Sequence, residues 1–154
     1  MSERYEYAIS LQIWHPSMSP GLVTRTLHLR PRIKKTAGAA RRTPRGALLR
    51  SANGVLLGGI NRESYWSASI IRQAVGRVGR RSSAEQHVER FCKKLRRHAQ
   101  FFERIHHDGG RVQIWVSSHS RQNYTFELTP GCLDTLAAAG VGLVVDVYPH
   151  PQTW

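Results

Sequence analysis

An α+β two-layer sandwich is the fold this sequence predicts: a mixed, mainly antiparallel sheet with helices on one face. Three observations carry it. Several segments alternate apolar and polar residues with period two, the mark of strands with one buried face. One long segment, Ala84 to His106, places Val88, Phe91, Cys92, Leu95, Ala99, Phe102 and Ile105 at steps of three and four, one stripe of a helix. Helical and strand segments interleave in the order β-α-loop-β-α-β-β-α-β, with a hairpin between the strands that follow the long helix, so the second half is ferredoxin-like.

The chain has 154 residues, enough for a single domain with a real core. Tyr7 to Trp14 is the opening strand, with Tyr7, Ile9, Leu11 and Ile13 inward. Ser19 caps a short helix that starts at Pro20, carries Val23 and Leu27, and stops at Pro31. Arg32 to Arg62 shows no clean period and holds eight basic residues, so it reads as a long mobile loop. Glu63 to Ile71 resumes as a strand, and Gln73 to Arg81 reads as a Gly-rich basic linker. Ser82 and Glu85 fit a capping box at the start of the long helix, and Gly109-Gly110 end it. Arg111 to Ser117 and Tyr124 to Leu128 make the expected hairpin around a turn at Ser118 to Gln122. Thr129-Pro130 open a short helix stopped by Gly140, and Gly142 to Tyr148 is the last strand.

No stretch approaches the roughly 20 apolar residues that span a bilayer, and the polar N-terminus is not a signal peptide. Cys92 and Cys132 fall on apolar helix faces and read as reduced core residues. The expectation is a cytoplasmic protein with no membrane role and no cofactor.

The net charge of +13 is unevenly spread. Tyr7 to Ala84 contains 14 of the 23 Lys and Arg residues and one acid, Glu63; the other 9 basic and 9 acidic residues cancel. After Arg121 there is no Lys or Arg. A concentrated basic region points to a polyanionic partner. The candidate contacts are Arg32, Lys34, Lys35, Arg41, Arg42, Arg45, Arg50, Arg77, Arg80, Arg81, Lys93, Lys94 and Arg97. Trp14 and Trp66 are assigned to strand positions opposite the aliphatic stripe, where an open sheet face would let them stack on bases.

Catalytic patterns are weak. His106-His107-Asp108, with His98 nearby, lacks the close thiolate pairs of a structural zinc site. Ser117-Ser118-His119-Ser120 sits in an expected turn, with no nucleophile elbow. The glycines at 54, 58 and 59 and at 76 and 79 lack phosphate-loop spacing. Two function classes therefore compete, both without catalysis: a nucleic-acid or ribonucleoprotein binder, and a protein-interaction module such as an immunity-type inhibitor of an acidic protein.

Several pieces resemble one family. Trp14-His15-Pro16 followed by Pro20 and Leu27-His28-Leu29, then Tyr65-Trp66-Ser67, and finally Phe126-Glu127-Leu128-Thr129-Pro130 with Ala139-Gly140-Val141-Gly142-Leu143-Val144-Val145-Asp146-Val147-Tyr148 are similar to the bacterial domain of unknown function 4279 family. The resemblance covers most of Tyr5 to Tyr148. It implies a compact α+β domain and no catalytic residue. The Arg-rich 32–62 stretch departs from it.

Overall fold

The computed structural model describes residues 4–77, 83–120 and 124–149. Among the described residues five strands form one mixed sheet: β1 (Arg4–His15), β2 (Ile33–Lys35), β3 (Ser64–Arg77), β4 (Arg111–Ser120) and β5 (Gly142–Pro149), in the order β2-β3-β1-β4-β5. All pairs are antiparallel except β4 with β5. The helices are α1 (Pro20–Leu27), α2 (Ser83–Leu95), α3 (Ala99–His107) and α4 (Pro130–Ala139). The predicted α+β sandwich is the observed architecture.

Its core follows the alternation. Tyr5, Tyr7, Ile9, Leu11 and Ile13 of β1 and Val112, Ile114 and Val116 of β4 are buried, together with Val23, Leu27, Val88, Phe91, Cys92, Leu95, Phe102 and Ile105 from the helices. Both thiols lie in this core and neither is in a disulfide. Burial, and then Cys132 beside it, push the Cys92 thiol up to about 12. Since the thiolate is the reactive form, Cys92 should resist a thiol reagent at neutral pH until the protein is denatured. Rapid labelling of Cys92 in the native protein would contradict this packing.

The expected single helix is broken. A 3-10 turn, Arg96–His98, separates α2 from α3. Each residue there rotates about 120° rather than about 100°. The buried stripe is therefore displaced: Phe101 joins Phe102 in the core and Ala99 is only half-buried. Ser82 of the expected capping box lies outside the described residues. The Glu85 carboxylate is buried and accepts from the Glu127 backbone N–H, tying α2 to the segment before α4. The stop is as expected. Gly109, at φ 85°, donates to the His106 carbonyl, and Gly110 donates to that of Ile105. A Cβ on Gly110 would meet the Trp14 carbonyl oxygen at 2.6 Å, so only glycine lets the end of α3 close onto the end of β1. The other early helix, α1, stops sooner than Pro31, at His28, whose φ is 53°.

Two strand boundaries differ from expectation. β3 continues to Arg77 because β1 begins at Arg4 and pairs with it there, so residues 73–77 are strand rather than linker. Residues 124–128 form no strand. Tyr124 stacks on Tyr5 at 4.4 Å between ring centroids, and Phe126 and Leu128 pack on the core. Their alternation records one buried side. Both edges of β4 are taken by β1 and β5, so that side is buried from above, and α4 is the crossover to a parallel β5. Ser118, expected in a turn, lies within β4, buried, with its hydroxyl bonded to that of Tyr124.

The 32–62 stretch is not an aperiodic loop. It contains β2 and then a paired arm built on an eight-residue repeat. Arg42-Thr43-Pro44-Arg45-Gly46-Ala47-Leu48-Leu49 matches Arg50-Ser51-Ala52-Asn53-Gly54-Val55-Leu56-Leu57. In each copy the arginine donates to the glycine carbonyl (Arg42 to Gly46 at 2.9 Å, Arg50 to Gly54 at 2.7 Å). In each, the Thr or Ser hydroxyl accepts from the N–H four residues on, at 3.1 Å. The glycines take φ of 84° and 79°, which a side chain would oppose. Arg42 bridges to Leu48 and Arg50 to Leu56, while Ala40 bridges to Ile60 at the base.

Candidate nucleic-acid interface

The helices pack on the sheet face that carries Leu11, Ile13, Val112 and Ile114; among the described residues no helix covers the other face. Cross-strand register sets what that open face displays. Lys35 pairs with Tyr65, Tyr65 with Trp14, and Trp14 with Arg111, so four strands contribute one row: cation, aromatic, aromatic, cation. The next row is Ile33, Ser67, Gln12 and Gln113, and the third brings Ser69, Ser10, Trp115 and Val144 into line.

The three rings form one platform. Trp14 lies 5.2 Å from Tyr65 and 6.4 Å from Trp115 between centroids. All three are half-buried. The Arg111 guanidinium sits 4.5 Å from the Trp14 ring centroid and the Lys35 ammonium 5.9 Å from that of Tyr65, both within cation–π range. Hydrogen bonds fix the polar tips: the Tyr65 hydroxyl donates to Gln12 Oε1 at 3.0 Å, and Trp115 Nε1 donates to Gln113 Oε1 at 3.1 Å. Arg111 also pairs with Glu63 at 3.2 Å.

The sequence-selected residues scatter about this platform. Trp14 belongs to it. Trp66 does not: it pairs with Ile13 on the core side, is 1% exposed, and donates from Nε1 to Thr24 Oγ1 at 3.0 Å. The strand alternation places Trp66 with Ala68 and Ile70, and Tyr65 with Ser67 and Ser69; the serines mark the side without a core. The assignment of Trp66 to the open face is corrected on that ground. Tyr65 and Trp115 were missed, although Trp115 alternates with Val112, Ile114 and Val116 and therefore had to face away from them.

Among the cations, Lys35 lies in the platform, whereas Lys34 pairs with Trp66 in the alternate register. Arg32 is exposed at the start of β2 and donates its backbone N–H to the Ser67 carbonyl at 2.7 Å. Arg41, Arg42, Arg45 and Arg50 are exposed on the arm. Arg77 is at the opposite end of β3 from Tyr65, and Arg80 and Arg81 lie outside the described residues. Lys93, Lys94 and Arg97 are exposed on the helix layer, with Lys93 3.7 Å from Glu89 and Arg97 3.1 Å from His98. The basic set is thus divided between two sides of the sheet.

The histidine cluster has a structural role. His15 is buried, and its Nδ1 accepts from the N–H groups of Ser17 and Met18 at 3.0 and 2.8 Å, shaping the turn after β1. Its Nε2 faces Asp108 at 3.6 Å. The hydrogen bond from His107 holds the Asp108 carboxyl below its usual range; desolvation opposes this, and His15 adds to it. His106 bonds the Gly140 carbonyl at the end of α4. Among the described residues no three His, Cys, Asp or Glu side chains converge as metal ligands, and no helix is long and apolar enough to cross a membrane.

Compared with known proteins, the chain matches no family model, no curated protein and no solved structure.

Proposed function

We propose that this protein binds single-stranded nucleic acid across its open sheet face, with the arginine-rich arm adding phosphate contacts. The observation that supports this most is the row Lys35–Tyr65–Trp14–Arg111 with Trp115 beside it. Aromatic rings on an uncovered sheet stack on bases of any sequence, and flanking cations meet the backbone between them. On binding, Lys35 and Arg111 exchange ring faces for phosphates and the bases take their place. The platform is reached only by unstacked bases, so single strands bind more tightly than duplex.

The test is tryptophan fluorescence during titration with mixed-sequence single-stranded RNA and DNA, with duplex beside them. Stacking on Trp14 and Trp115 should quench emission, and duplex should compete poorly. No detectable binding at about 50 mM salt, where phosphate contacts are strong, would overturn the reading.

A second reading rests on the arm. It exposes Val55 (62%) and Ile60 (59%), with Leu49, Leu56 and Leu57, among its arginines. Apolar side chains set among cations suit an acidic protein partner as well as they suit phosphates. A stoichiometric protein retained after nuclease treatment, with no nucleic-acid affinity in the purified chain, would favour this interaction-module reading.

A further inference from the structure

We propose that a notch on the open face, floored by Gly142 and walled by Gln113 and Trp115, takes one nucleobase and selects a carbonyl edge over an amino edge: uracil or thymine over cytosine, and guanine over adenine. This rests on the single-strand reading above and gives it a base preference. Gln113 pairs with Gly142 and Trp115 with Val144, so Gly142 lies on the open face beside the glutamine. Gly142 does not have a positive φ. A Cβ there would meet Gln113 Cγ at 3.4 Å and Nε2 at 3.9 Å, ordinary contact distances. Neither backbone conformation nor crowding therefore asks for glycine. What the missing side chain does is leave one side of the Gln113 amide bare.

That amide has one orientation. An indole N–H only donates, so Trp115 Nε1, 3.1 Å from Gln113 Oε1, takes the amide oxygen and leaves Nε2 as the group on offer. Among the described residues no acceptor meets Gln113 Nε2. Gln12, opposite Gln113 on β1, is engaged at both ends: its Oε1 accepts from the Tyr65 hydroxyl, and its Nε2 donates to Ser10 Oγ at 3.1 Å. Of the two glutamines in this row, Gln113 is the one with a free donor group.

A base stacked on Trp115 above Gly142 meets those N–H groups with its edge. The O4 of uracil or thymine and the O6 of guanine accept from them. The amino groups of cytosine and adenine set donor against donor and leave both unpaired. A glutamine free at both ends reads adenine by a bidentate contact; with Oε1 held by Trp115, that contact is closed off. Arg111, two residues before Gln113 on the same face, is placed for the adjoining phosphate. Asp146, the carboxylate on this side of β5, is four residues from Gly142, about 13 Å along a strand. It is already engaged by the Tyr148 hydroxyl.

Titration of the full-length protein with oligouridine and oligocytidine of equal length, followed by tryptophan fluorescence, tests it. The two bases differ at this edge and little in size. Wild type should favour oligouridine by about 2- to 10-fold, the worth of one neutral hydrogen bond. Gln113→Glu keeps an oxygen for Trp115 but offers only acceptors, so it should reverse the ratio in favour of oligocytidine while weakening both. A general loss of affinity does not change a ratio. Equal binding of both oligomers by wild type, or a ratio that Gln113→Glu leaves unchanged, overturns the base notch while the single-strand reading stands. No binding of either overturns both. Should the variant fail to fold, the Gln113 side-chain amide signals in the NMR spectrum of wild type decide. Shifts with oligouridine and not with oligocytidine support the notch; an equal response, or none, overturns it.

Discussion

Replacing Trp66 with alanine should destabilise the protein by about 3–5 kcal/mol, the cost of emptying a large buried aromatic site. In a chain of this size that lowers the melting temperature by about 6–20 °C. The indole fills the space between β3 and α1, and its N–H reaches the Thr24 hydroxyl, which itself donates to the Pro20 carbonyl at 3.2 Å. Trp66→Phe keeps most of the volume and gives up one neutral hydrogen bond, so it should recover all but about 1–2 kcal/mol. Nucleic-acid affinity of the folded Phe variant should be unchanged. Thermal melting and a single oligonucleotide titration together check this. A Trp66→Ala protein with native melting temperature and abolished binding would put the ring back on the open face.

Trp66 and Tyr65 also mark how far the sequence can be read. A period-two pattern assigns neighbours to opposite faces with certainty, but the face that meets the core must be inferred from its other members. Beside Trp66 stand Ala68 and Ile70; beside Tyr65 stand Ser67 and Ser69. Aromatic size draws attention to Trp66, whereas the two serines hold the answer. Trp115 was equally legible, being out of phase with three aliphatic residues on β4.

Other features were legible only in part. The stripe from Val88 to Ile105 predicted a helix against the sheet, and caps at Ser19, Thr129 and Gly109 fixed several ends. The 3-10 turn at Arg96–His98 leaves no signature in an apolar spacing that is satisfied on both sides of it. The segment at 124–128 alternates because one side is buried, and period two cannot say whether the neighbour is a strand or the helix layer. The arm was hidden for a different reason. Its regularity lies in turn chemistry (arginine, hydroxyl, glycine) and not in hydrophobic period, so a search for strands and helices passes over it. Lining up Arg42 with Arg50 and Gly46 with Gly54 would have exposed it.

Platform and arm should separate cleanly in a salt titration of single-stranded binding. Stacking is worth about 1–3 kcal/mol per base, so Trp14→Ala and Trp115→Ala should each weaken binding by about 5- to 150-fold. Neither ring neutralises a phosphate, so the slope of log K against log salt should stay where the wild type has it, near −3.5 for about five phosphates. The arm behaves in the opposite way. Arg42 and Arg50 already donate to turn carbonyls, and replacing them would disturb the repeat they close. Arg41 and Arg45 are the better probes. Their double replacement by alanine should weaken binding at low salt and flatten the slope by up to about 1.4, since each phosphate left without its arginine takes away about 0.7. Stability should change by about 0.5 kcal/mol or less, since both side chains are exposed. Near-normal affinity in both tryptophan variants would remove the sheet face from the interface. An unchanged slope in the arginine variant would move phosphate binding off the arm, to Lys35 and Arg111 or to the helix-layer cations Lys93, Lys94 and Arg97. Because one set of changes alters the intercept and the other the slope, a structural defect shared by all the variants cannot imitate the pattern.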